Sequence, residues 1–94
     1  MKIVKIGAIW CPGCLVMKKI WKSIMADYPD LEISELDYDM DASIVSEYNP
    51  GKVLPVVIFL DENNSELERL IGEQKEDILR EKINKYRGNY ESNK

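Results

Sequence analysis

Apolar residues follow two rhythms along this chain, and each change of rhythm marks an element. Residues 3–8 are mostly β-branched and apolar, which reads as a buried strand. Met17, Ile20, Trp21 and Ile24 then recur at helical spacing, with Lys18, Lys19 and Lys22 on the other side. This amphipathic helix ends by Tyr28-Pro29-Asp30. Residues 31–39 alternate as a second strand. Asp41 can cap a short helix through Tyr48, and Asn49-Pro50-Gly51 breaks it. The most apolar run, 53–60, predicts a central strand. Asp61-Glu62-Asn63-Asn64 is a hairpin turn into a strand over 66–71, and Gly72 ends that strand. Ile78, Leu79, Ile83 and Tyr86 supply the stripe of a closing helix. Gly88 can cap it, leaving 89–94 as a frayed tail.

The order is therefore βαβαββα over a single domain, residues 1–88. It predicts an α/β three-layer sandwich, a four-stranded mixed sheet with helices on both faces. Two right-handed β-α-β crossovers make the first three strands parallel, and the short turn at Asn63 makes the last antiparallel. No internal repeat, linker or low-complexity segment interrupts the pattern.

Composition narrows the choices. A chain of 94 residues is near the lower end of domains that fold without staples. Its net charge of −4, with no basic tract, argues against nucleic acid and anionic membrane surfaces as partners. No stretch approaches the length of a membrane span. The opening Met1-Lys2-Ile3-Val4-Lys5-Ile6 is too short an apolar run for a secretory signal, which predicts a cytoplasmic protein.

The chemistry lies in Trp10-Cys11-Pro12-Gly13-Cys14, where the first strand hands over to the first helix. These are the only cysteines, and there is no histidine. Residues i and i+3 stack on one helix face, within the Cα separation a disulfide accepts. A two-residue loop gives little entropic stabilisation, so the pair reads as a working dithiol and not a staple. Structural zinc needs four ligands, which this chain could complete only with a second chain. Inert packing of two small hydrophobes remains as an alternative. Against it, Cys11 falls at a helix start, where amide donors and the dipole stabilise a thiolate. A calcium loop starting at Asp37 fails, because Ala42 and Tyr48 occupy the places of its glycine and glutamate. That acidic run reads as a solvated strand end.

From Ile3 to Tyr86 the chain resembles the thioredoxin family. Trp10-Cys11-Pro12-Gly13-Cys14 is similar to the family's Trp-Cys-Gly-Pro-Cys with its middle pair reversed. Val53-Leu54-Pro55 before Val56-Val57-Ile58-Phe59 is similar to the segment whose proline is cis and faces the disulfide. Ile71-Gly72-Glu73-Gln74 resembles the segment with a glycine beside the substrate groove. The family's extra N-terminal strand and helix have no counterpart here, and Lys19 stands where its active-site helix has a kink-forming proline.

The resemblance implies a protein-disulfide reductase with Cys11 attacking and Cys14 resolving. Thiol chemistry agrees, since the helix N-terminal thiolate is the better nucleophile and a thiol one turn inside is more shielded. The implied groove comprises Trp10, Pro12, Gly13, Leu54, Pro55 and Gly72. A cis Leu54–Pro55 bond would open the preceding peptide groups to a substrate strand, whereas a trans proline would simply start a strand. Trp10 either flanks the site or merely covers apolar surface at its rim. The reversed pair leaves N–H groups on both Gly13 and Cys14 to point at the Cys11 sulfur, one more than the family's order. The resemblance further implies disulfide-containing protein substrates, a thioredoxin-reductase-like electron donor, and a monomer. It implies no cofactor beyond the redox-active Cys11–Cys14 disulfide, and no metal.

Where the family carries a buried acid and a neighbouring lysine, this chain matches Lys5 and Glu35. The implied role is proton-transfer support at Cys14 with polarity swapped; the alternative is two strand-edge charges reaching water. Two other functions stand beside the reductase. One is a glutaredoxin-like reductase of glutathione mixed disulfides, a family that also has proline first between its cysteines. Glu73 opposes it by repelling an anionic tripeptide. The other is a non-catalytic interaction module.

Overall fold

The computed structural model describes residues 1–92. Its elements are β1 (Lys2–Gly7), α1 (Pro12–Asp27), β2 (Glu32–Asp37), α2 (Ala42–Ser46), β3 (Val56–Leu60), β4 (Glu66–Ile71) and α3 (Glu76–Ser92). This is the βαβαββα order read from the sequence. Strands lie in the order β2-β1-β3-β4.

Strand directions differ from expectation at one place. β1 and β2 are parallel, but β3 runs antiparallel to β1 as well as to β4. The register gives the reason. Ile6 pairs with Leu36 on one side and with Val56 on the other, so β3 enters at the end of the sheet where β2 leaves it. A parallel crossover must carry the chain back along the sheet, roughly 17–20 Å for an average strand. The five residues of α2 advance only about 7.5 Å. The connection instead passes over the end of β1 and turns through Asn49 and Gly51, both at positive φ.

Alternation in the two central strands builds the layers. Ile3, Val57 and Phe59 pack with Met17, Trp21 and Ile24 of α1 and Leu79 and Ile83 of α3. The intervening Val4, Ile6, Val56, Ile58 and Leu60 pack on the other face with Val45 of α2. Helices therefore cover both faces, and β3 is buried throughout. Each of these large side chains contributes about 1.5–3 kcal/mol by leaving water.

α1 begins where Pro12 needs no amide partner and ends where the Tyr28 N–H donates to the Ile24 carbonyl before Pro29. At the far side Tyr86 stacks near Phe59 and donates its hydroxyl to Glu68, which also pairs with Lys82 at 3.0 Å. That hydrogen bond pushes the Tyr86 phenol up to about 12 and holds Glu68 below the usual carboxylate range. α3 does not stop at Gly88, where the sequence suggests a cap. Glycine in helical conformation weakens a helix by about 1 kcal/mol relative to alanine without terminating it. Of the expected tail, residues 93–94 lie outside the described residues.

Candidate active site

Cys11 is the N-cap of α1, with extended backbone (φ −91°, ψ 111°). Its own N–H donates to the Ala8 carbonyl at 3.1 Å, closing the turn out of β1. Its sulfur accepts the Cys14 N–H at 3.2 Å. Both cysteines are free thiols. Cys14 lies one turn in, its sulfur against the end of β1. A Cβ placed on Gly7 would fall 3.0 Å from that sulfur. Partial burial, then a hydrogen bond with the Cys11 side chain, raises the Cys14 thiol to about 11.

Exposure ranks the two residues opposite to expectation: Cys11 is 4% exposed and Cys14 is intermediate. Cys11 folds its sulfur back onto the first turn of the helix. Cys14 opens instead into a cavity of about 470 Å³ whose walls include Lys5, Gly7, Trp21, Glu35 and Pro55. The Gly13 N–H makes no hydrogen bond to the Cys11 sulfur among the described residues. Only the Cys14 donor of the expected two is in place.

The three sequence motifs converge here. The Leu54–Pro55 bond is cis, and Pro55 is buried. The Pro55 carbonyl accepts the Gly72 N–H at 2.8 Å, at a φ of +88° that favours glycine. A Cβ on Gly13 would lie 3.3 Å from Pro55 Cδ and 3.4 Å from Glu73 Oε1. The dithiol turn, the proline segment and the Gly72–Glu73 turn therefore touch through Gly13. Ile9, Trp10, Val53 and Ile71, each more than half exposed, leave the surroundings apolar. Pro12 is exposed and Leu54 half-buried.

Trp10 is held by more than apolar cover. Its indole N–H donates to Asp39 Oδ2 at 2.6 Å, and its ring meets Tyr38 edge-on, with centroids 6.2 Å apart. Asp37 accepts the N–H groups of Asp39 and Met40, which shapes the turn carrying both partners. Asp41 occupies the N-cap of α2 but does not cap it with its side chain. Its carboxylate reaches backward to accept the Asp37 N–H at 2.8 Å, stabilising the preceding turn instead. Among the described residues no cluster of histidine, cysteine, aspartate and glutamate could hold a metal ion.

Lys5 and Glu35 are register partners on β1 and β2, with Nζ 3.5 Å from Oε2. They are not a buried pair. The Lys5 side chain is 17% exposed and lies 5.0 Å over the Trp21 ring, whereas Glu35 is 79% exposed. β2 is the edge strand, so a side chain on it opens to solvent even on the face that α1 covers.

Sequence reading missed three supports of the site: Gly7 beneath Cys14, and Asp39 with Tyr38 behind Trp10. Gly7 carried a signal as the glycine closing a strand just before the cysteines. The contact of Trp10 with Asp39 spans 29 residues and leaves no local pattern.

A family model described as thioredoxin matches residues 1–85. Over 84 residues the chain is 34% identical to thioredoxin from Ophiophagus hannah, covering 89% of this chain and 77% of the relative. It is 31% identical over 76 residues to thioredoxin H5 from Oryza sativa subsp. japonica, covering 81% of this chain. The chain spans only 55% of that rice relative's length. The solved structure of thioredoxin 1 from the thermophilic eubacterium Thermosipho africanus superposes with a TM-score of 0.81 at 24% identity, with 100% of both chains covered. At that identity the likeness speaks for the fold alone.

Proposed function

The chain belongs to the thioredoxin family, and from that premise we propose that it is a thiol–disulfide oxidoreductase that reduces protein disulfides. The observation that carries this reading is the Cys14 N–H donating to the Cys11 sulfur at the N-terminus of α1. A thiolate at Cys11 gains from that donor and from the helix dipole, whereas Cys14 is held as a thiol.

In the proposed cycle the Cys11 thiolate attacks one sulfur of a substrate disulfide. The substrate S–S bond breaks, a mixed disulfide forms, and the first substrate sulfur leaves as a thiolate that takes up a proton. Cys14 then loses its proton and attacks the Cys11 sulfur. The second substrate thiol departs, and the dithiol has supplied two electrons to become the Cys11–Cys14 disulfide. A thioredoxin-reductase-like donor returns two electrons to it, and no further cofactor enters.

Trp10, Pro12, Gly13, Leu54, Pro55 and Gly72 form the proposed substrate groove. Its support is the apolar rim and a stretch, 52–54, that precedes β3 outside the sheet ladder, leaving backbone for a substrate strand. Lys5 is the proposed proton-transfer support. The support for this role is that Lys5 lines the same cavity as Cys14, since a cation close to a thiol favours its thiolate. The proposed compartment is the cytoplasm, whose reducing poise keeps such a pair available as a dithiol. No helix among the described residues is long and apolar enough to cross a membrane. Against the glutaredoxin-like reading stands Glu73 over Gly13, which opposes an anionic tripeptide.

Insulin reduction under a chemical reductant tests the reading. Wild type should accelerate it and Cys11→Ser should not. No acceleration by wild type would leave an interaction module as the better description.

A further inference from the structure

Acidic side chains are numerous here, but most have work to do within the fold. Asp39 holds Trp10, Asp37 and Asp41 accept backbone N–H groups, and Glu66, Glu68 and Glu76 pair with cations. Glu73 is different. It is exposed, and among the described residues its carboxylate takes part in no hydrogen bond or ion pair. Its Oε1 would lie 3.4 Å from a Cβ on Gly13, the residue between Pro12 and Cys14. The carboxylate therefore lies against the dithiol turn, within van der Waals reach of Gly13. Lys75, two residues on, does not pair with it.

An unpaired anion at the edge of a site that must admit a peptide sorts peptides by charge. We infer that Glu73 is a specificity-determining residue that favours disulfide substrates with a lysine or arginine beside the reacting cysteine and disfavours anionic ones. The inference rests on the reductase reading and adds its substrate class. Glu73 touches the incoming peptide, not the sulfurs, so it acts on encounter and docking and not on bond exchange.

Three mixed disulfides of one cysteine peptide with the uncharged thiol 2-mercaptoethanol, carrying Lys, Gln or Glu as the residue beside the cysteine, provide the test. Single-turnover reduction by the pre-reduced protein is measured at low and high salt, with rates normalised to the Gln peptide. Wild type should reduce the Lys peptide about two- to fivefold faster than the Glu peptide, as an exposed charge pair permits, and salt should erase the difference. Glu73→Gln should compress the ratio toward one, and Glu73→Lys should invert it. Equal Lys-to-Glu ratios in wild type and both variants overturn the inference while leaving the reductase reading intact. Failure of wild type to reduce even the Gln peptide overturns the reading and the inference with it.

Discussion

The Cys14 N–H points at the Cys11 sulfur across 3.2 Å, and it is a donor that any residue but proline at position 14 would keep. The reversed Pro12-Gly13 order suggests a second donor at Gly13, which the structure does not supply. Exchanging the middle pair, Pro12→Gly with Gly13→Pro, therefore leaves the observed hydrogen bond in place. The Cys11–Cys14 couple should shift by less than one neutral hydrogen bond, about 1 kcal/mol or roughly 20 mV. Redox titration against glutathione measures this. A clearly more oxidising couple in the native order would restore Gly13 as a donor.

Cys14 sets the alkaline behaviour. Its folded value of about 11 lies above the ordinary 9.0, so the folded state holds that proton more tightly than the unfolded chain. The stability this contributes is fully present below pH 9 and is lost as pH rises through about 11. Denaturant unfolding of the reduced protein should show that decline, and Cys14→Ala should lack that part of it. An identical alkaline limb in both would contradict the assignment.

Lys5 and Glu35 should separate when mutated singly. A buried ion pair would lose about 3–5 kcal/mol on removal of either partner. With Glu35 largely in water, Glu35→Gln should cost no more than about 1 kcal/mol. Lys5→Met keeps the contact with Trp21 but removes the cation from the cavity. It should slow resolution of a Cys11 mixed disulfide and move the pH dependence of that step to higher pH. Unchanged resolution kinetics at every pH would reduce Lys5 to an ordinary strand charge.

Gly7 should tolerate no side chain. A methyl group there meets the Cys14 sulfur at 3.0 Å, so Gly7→Ala must displace one or the other. Overpacking of this kind costs about 1–3 kcal/mol. Mixed disulfide should also accumulate during turnover, because the resolving thiol has moved. Wild-type stability with no accumulation, read by denaturation and mass spectrometry, would mean that the sulfur simply rotates away.

Much of this was legible from residue spacing. The apolar runs of β1 and β3 marked the two central strands, because strands covered on both faces carry apolar residues at consecutive positions, and the Met17-Trp21-Ile24 stripe marked the buried side of α1. Strand direction was not legible. The 18-residue connection from Asp37 to Val56 is long enough for a crossover, and only the register reveals that α2 does not return the chain. Lys5 and Glu35 were found as partners, since both interrupt apolar alternation, but their exposure depended on β2 being an edge. Asp39 was invisible as a support of Trp10, because a hydrogen bond across 29 residues follows no local rule.

The division of labour between the two thiols is tested most directly by alkylating the reduced protein near neutral pH and locating the label by peptide mass. Cys11, with a backbone donor on its sulfur at the helix start, should be modified first, and Cys14, held as a thiol, should lag until the medium is strongly alkaline. Faster labelling of Cys14 would reverse the roles and contradict the reading of the helix N-terminus as the seat of the nucleophile.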